Sequence, residues 1–170
     1  MIQCYICKQI KEEVIPYPQG LTEIWLCPSC FSYLQNAKPS EVREVHWIYA
    51  FRKKGEYPES TSKSGKWLIF VDRKDVDEVW RRIKDAVEEG KLGNKAKVST
   101  AKPKPKYYDE KKHVICVYTY DWTDREDVMR IREELRKLGI KNKIPYKADE
   151  DTLKGRYRFK GDEGISKYYE

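Results

Sequence analysis

The sequence predicts an α+β protein, a mostly antiparallel sheet with its helices on one face and a small cysteine-rich module at the N-terminus. Three observations lead there. Four of the five cysteines fall in two Cys-x-x-Cys pairs inside the first thirty residues. Two amphipathic helical stretches each follow a β-branched, apolar run. The chain has 170 residues, enough for one well-buried domain plus a small appendage that needs a staple.

The N-terminal module comes first. Cys4, Cys7, Cys27 and Cys30 are spaced C-x2-C-x19-C-x2-C, so each pair forms a tight thiolate-donating turn and the intervening residues return the chain to bring the pairs together. Four soft thiolates suit a structural Zn site, with no open position for a water; rubredoxin-like iron is the nearest alternative. Between the pairs, Val14 and Ile15, then Ile24 and Leu26, flank a Pro/Gly turn, which makes a strand, a turn and a second strand, followed by a short helical turn ending near Leu34. This reads as a zinc ribbon over 1–38 whose folding depends on metal. The polar "NAKPSE" joint separates it from a larger unit over 39–170.

In the larger unit, Val45, Trp47 and Tyr49 alternate with His46, Ile48 and Ala50, and "KWLIFVD" gives a second, more continuously apolar strand. Asp72 and Asp75 open a helix whose Val76, Val79, Trp80, Ile83 and Val87 share one face, with Gly90 at its end. "HVICVYTYDW" is a third strand, with Cys116 as a small core residue. Thr123 and Glu126 form a capping box for a second helix, with Val128, Ile131, Leu135 and Leu138 on its apolar face and Gly139 beyond. Short strands are expected around Ile144–Tyr146 and Arg156–Phe159.

Charge is unevenly spread. The formal excess is +7, from 35 basic and 28 acidic groups, which favours polyanionic partners. Residues 91–112 read as a lysine-rich connection with eight lysines against Asp109 and Glu110, a net +6. Here Lys95, Lys97, Lys102, Lys104 and Lys106 offer a track for phosphates, Tyr107 and Tyr108 offer rings to a base, and Ser99 and Thr100 offer further donors. A second basic stripe is "KGRYRFK": as a strand it would set Lys154, Arg156, Arg158 and Lys160 on one face. No Walker or dinucleotide motif appears. No stretch approaches the length of a bilayer span and the N-terminus lacks a signal pattern, so a cytoplasmic protein without a membrane partner is expected. Abundant Lys, Arg and Glu with few Asn and Gln suit a hot-growing, archaeal type of source.

The run from Ser64 to Thr100, then "VICVYTYDWTDREDVMRIREELRKLGI" and "YKADEDTLKGRY", resembles an uncharacterised family that includes the basophilic leukaemia expressed protein. The similarity covers roughly Arg43 to Tyr169 and leaves the cysteine module as an addition. It implies the fold of the cap-binding translation initiation factor, a curved antiparallel sheet backed by helices. That factor clamps a methylated guanine between two tryptophans; Trp67 falls near the first position, and with no tryptophan between Trp80 and Trp122 the second is unmatched unless Tyr107 or Tyr108 replaces it. The resemblance therefore implies a face for a nucleotide or RNA in place of cap binding itself. It also brings a label, phosphothreonine lyase, for which Lys97, Lys102, His113 and Arg156 are the side-chain types at hand. The functional expectation is a zinc-containing protein that binds RNA or a nucleotide. A phosphate-handling enzyme, or an adaptor that meets a protein partner through Tyr5, Ile6 or Trp25, is the alternative.

Overall fold

The structure, a computed structural model, describes residues 1–105, 109–154 and 166–170. The N-terminal module consists of β1 (Ile2–Gln3) paired with β2 (Ile10–Lys11), then the hairpin β3 (Ile15–Gln19) and β4 (Thr22–Leu26), then α1 (Pro28–Asn36). The larger unit runs β5 (Trp47–Phe51), β6 (Gly65–Asp72), α2 (Arg73–Glu88), β7 (Lys95–Ser99), β8 (Lys112–Thr119), α3 (Arg125–Lys137), β9 (Pro145–Ala148), α4 (Asp149–Leu153) and β10 (Ser166–Tyr169). Its six strands form one sheet in the order β10-β9-β6-β8-β7-β5, with every described pairing antiparallel.

Both long helices lie on the same face. The α2 stripe of Val76, Trp80, Ile83 and Val87 is buried, as is the α3 stripe of Val128, Ile131 and Leu135. Beneath them the strands supply Ile48, Ala96, Val98, Ile115, Val117, Trp67 and Tyr146, each fully shielded from solvent. Gly65 is needed for this packing, because a Cβ there would meet the Tyr146 ring oxygen at 2.4 Å. Gly139 closes α3 with φ +100, where a side chain would be strained.

Three local expectations shift. The N-cap of α3 is Asp124, whose carboxylate accepts the Asp127 N–H at 3.1 Å, while the Thr123 hydroxyl turns to Asp121. Asp72 occupies the N-cap of α2 but its carboxylate pairs with Lys112. The lysine-rich "connection" contains a whole strand, β7, inserted between β8 and β5. Its sequence Lys-Ala-Lys-Val-Ser alternates with period two: Ala96 and Val98 enter the core while Lys95 and Lys97 point the other way. A composition dominated by lysine concealed that alternation.

The module lies against the sheet instead of projecting from it. Tyr17 is fully buried, with its ring edge-on to Tyr49, Phe51 and Phe31. Leu26, Leu34 and three of the four paired cysteines join the same apolar cluster as Val42, Val45 and Ile48. Among the described residues no helix is long and apolar enough to cross a membrane.

Candidate functional site

The two cysteine pairs converge. The Sγ atoms of Cys4, Cys7, Cys27 and Cys30 all lie within 4.8 Å of one another, with Cys7 and Cys27 4.0 Å apart. A tetrahedron of about 2.3 Å metal–sulfur bonds has edges of roughly 3.8 Å, so the donor set fits a single ion with little movement. Local structure builds it. Lys8 takes φ 64 so that its N–H reaches the Cys4 carbonyl at 3.0 Å, folding the first pair into a turn. The second pair opens α1, where the Phe31 N–H reaches the Cys27 carbonyl at 2.9 Å. Burial works to raise the Cys4 thiol, yet N–H groups of Cys27, Cys7 and Ile6 outweigh it and bring it down to about 6. Cys30 is pushed up to about 12 by burial and by its neighbouring sulfurs. Ionising Cys30 in this setting calls for a nearby cation. The four cysteines are compatible with binding a metal. Zinc would be held by all four thiolates in a structural role, supplying no reactive position.

The hairpin of this module then clamps β5. The Gln19 side-chain oxygen accepts the His46 and Trp47 N–H groups at 3.1 and 3.0 Å, and its amide donates to the Trp47 carbonyl at 2.7 Å. The Tyr49 N–H donates to the Tyr17 hydroxyl oxygen at 2.7 Å, and Gly20 N–H to the Tyr49 hydroxyl oxygen at 3.1 Å. The module thereby walls one side of the sheet face that carries no long helix.

That face, which carries only the short α4 over Lys66, is organised in three rows, because residues paired across antiparallel strands share a face. In the first, Lys147 pairs with Lys66, Lys66 with Tyr118, and Lys95 with Phe51. Lys95 Nζ lies 4.8 Å from the Tyr118 ring centre and closes the row. In the second, Tyr49 pairs with Lys97, Lys97 with Cys116, and Cys116 with Leu68. In the third, Trp47 pairs with Ser99, whose hydroxyl oxygen accepts the Val114 N–H, and Val114 pairs with Phe70. The rows are chemically graded: ammonium groups dominate the first, while the third ends in Phe70, which is 61% exposed.

The ammonium groups crowd one ring. Lys66 and Lys97 each place Nζ 5.9 Å from the Tyr118 centre, beside Lys95, and Lys97 Nζ also sits 4.0 Å from the Trp47 ring. Lys66 is held by Asp149 and the Thr152 hydroxyl, both at 2.7 Å, and Asp149 also accepts the Ser64 hydroxyl. Lys97 is driven below the ordinary lysine range, first by burial, with Lys66 and Lys95 adding repulsion against the opposing pull of Cys116 and Asp149. Burial likewise raises the Tyr118 hydroxyl and the Cys116 thiol. A partly buried lysine repelled by its neighbours is an arrangement relieved by an incoming anion.

A family model described as Basophilic leukemia-expressed protein Bles03 matches residues 42–152, well over half of the chain. The chain belongs to that family. Among solved structures it is similar to C. elegans eIF4E-3, described in complex with the 4E-binding protein Mextli and a cap analog, at 21% identity and TM-score 0.52, covering 78% of this chain and 80% of that one. It is also similar to Schistosome eIF4E, described in complexes with m7GpppG or m7GpppA and 4E-BP, at 16% identity and TM-score 0.56, covering 88% of this chain and 84% of that one. At these identities the likeness is one of fold. The family match begins at Val42, beyond the four-cysteine module.

Against that family fold, the residues singled out from sequence divide sharply. Trp67 is a correction. It is fully buried on the helix-backed face, its indole N–H donating to the Val128 carbonyl at 3.1 Å and its ring against Tyr146 and Tyr168, so it offers no surface to a base. Lys95 and Lys97 do reach the open face. Lys102 lies instead at the module, 3.4 Å from the Tyr5 hydroxyl, and Lys104 is half-buried near Arg73. The Thr100 hydroxyl is buried and donates to the Val45 carbonyl, and burial shields the Ser99 hydroxyl, which accepts the Val114 N–H, so neither is placed to donate to a phosphate. Lys154 caps α4 and so starts no strand. Lys106, Tyr107, Tyr108, Arg156, Arg158 and Lys160 lie outside the described residues. His113 faces the helices, its ring between the Ser99 carbonyl and the Arg73 guanidinium, on the side of β8 opposite to Lys97. The lyase-like grouping of Lys97 with His113 is therefore not assembled. Sequence reasoning missed Lys66, Lys147, Tyr118 and Phe70. Each lies in an alternating strand, but the register that gathers them comes from pairing residues far apart in the chain.

Proposed function

We propose that the sheet face opposite the two long helices binds a phosphate-bearing ligand, a nucleotide or the nucleotide unit of an RNA, and that the four cysteines hold a structural zinc ion that fixes one wall of this face. The observation that carries the reading is the grading of the rows: partly exposed Lys95 and Lys97, together with buried Lys66 and Lys147, toward one end, and Trp47 and exposed Phe70 at the other. Lys66 and Phe70 are four residues apart on one strand, about 13 Å. That is a span on the scale of a nucleoside triphosphate, with phosphates to the lysines and the base toward Phe70 and Leu68. Fold likeness to proteins solved with cap analogues and m7GpppG supports a nucleotide as the ligand. No two tryptophans face each other here to sandwich a base, so methylation of guanine is not required by the geometry among the described residues.

Calorimetric titration of the zinc-loaded protein with GTP, ATP and m7GTP at low salt tests this. Saturable binding that weakens as salt rises, and that falls about tenfold in Lys97→Ala, is expected. Failure of all three nucleotides to bind overturns the reading.

A further inference from the structure

Resting on the reading of the lysine rows as a phosphate site, we propose that the ligand track continues onto the cysteine module. There Trp25, Tyr5, Lys8 and Lys102 take the following units of a single-stranded polynucleotide. After β7 the chain passes Ala101, whose N–H reaches the Val42 carbonyl at 2.9 Å, and delivers Lys102 to the module. Lys102 Nζ lies 5.8 Å from the Tyr5 ring centre and 3.5 Å from the Glu44 carbonyl, while Lys8 Nζ sits 4.4 Å from the same ring centre. The Tyr5 N–H donates to the Trp25 carbonyl at 2.8 Å, so the two aromatic residues are neighbours. Trp25 is 39% exposed and Tyr5 37%.

A part-exposed tyrosine ring flanked by two ammonium groups, with an exposed indole on the strand bonded to it, is a combination that holds a single strand, the rings stacking on bases and the cations meeting phosphates. Basic groups near here extend beyond these two lysines to Lys104 and Arg73. Burial and the charges of Lys102 and Lys104 lower the His46 imidazole below its ordinary range, and Lys104 is lowered by burial and Arg73. Two acids stand nearby. Glu44 is engaged by the Tyr33 hydroxyl and the Arg43 N–H, and Glu23 lies two residues before Trp25 on β4. The connection to the first site is covalent and short: Lys97 and Lys102 are five residues apart, and Trp47 of the third row is tied to the module through Gln19.

The probes are GTP by calorimetry and 3′-labelled oligouridylate and oligothymidylate, two to twelve nucleotides long, by fluorescence anisotropy. Affinity of the intact protein is expected to rise with length. Trp25→Ala is expected to weaken the twelve-mer about five- to hundredfold. Lys8→Ala with Lys102→Ala is expected to lower the salt slope by about 1.4, both changes leaving GTP affinity within about twofold. The double lysine variant keeps the test meaningful if Trp25→Ala disturbs the module. A twelve-mer that binds no tighter than GTP, or that is unmoved by these substitutions, overturns the extension while GTP binding leaves the first site standing. Loss of all binding in the intact protein overturns both.

Discussion

Neighbouring residues on one strand of this protein live in opposite environments. Along β8, Ile115 and Val117 enter a dry interior beneath α2 and α3, while Cys116 and Tyr118 support a layer of ammonium groups. The first face is satisfied by its own packing. The second gathers lysines whose mutual repulsion the fold tolerates, with Asp149 bonded to Lys66. Stability is concentrated on one side of the sheet, and capacity for an outside anion on the other.

The largest expected effect lies at the boundary of these regions, where the hairpin leans on β5. Removing the metal with a chelator, or substituting Cys27→Ser, should release several kcal/mol of folding free energy from the module. Tyr17 would then part from Tyr49 and Phe51, and nucleotide affinity would fall with the loss of the Trp47 wall. Metal analysis, tyrosine fluorescence and calorimetry read these together; an apoprotein that is as stable and binds as well would show that the module is independent of the open face.

On the helix-backed face, Trp67→Ala should cost about 3–5 kcal/mol in urea unfolding, since it empties a buried site and removes the indole bond to the Val128 carbonyl. Any ligand binding that survives should have unchanged affinity. On the open face the sign reverses. Lys97→Met should raise stability by about 1 kcal/mol, by removing a desolvated and repelled charge, while weakening nucleotide binding about tenfold. If Lys97→Met is destabilising and leaves binding intact, the two faces do not differ in the way described.

The smallest effect is a pH dependence. The Lys97 ammonium is disfavoured in the fold relative to the unfolded chain, where its pKa is 10.5, so the unfolded chain holds more protons between the two values. Its penalty is present in full below the depressed pKa. Stability contributed by this residue should therefore rise with pH through that window, and the rise should vanish in Lys97→Met. Ligand binding should run oppositely, weakening as the ammonium is lost.

Much of this was readable in the sequence where a signal is local. The Cys-x-x-Cys pairs, the helical stripes from Val76 to Val87 and from Val128 to Leu135, and the Pro/Gly hairpin each declare themselves within about twenty residues. Signals made by tertiary pairing did not. Trp67 and Lys66 are adjacent in sequence, and only the placement of β6 between β8 and β9 decides which faces the core. The Lys95 and Lys97 ammoniums are visible as charge, but the segment reads as a connection, because Ala96 and Val98 are weak markers of a strand. β10, four residues pairing with β9, carried too short a pattern to register.

The most direct test follows methyl and aromatic side-chain NMR signals during titration with GTP. Leu68, Phe70, Val114 and Tyr118 should shift on binding, while Ile69, Ile115 and Val117, their neighbours along the same strands, should stay in place. Shifts of equal size on both sets, or confined to the helix-backed set, would contradict an anion site on the open face.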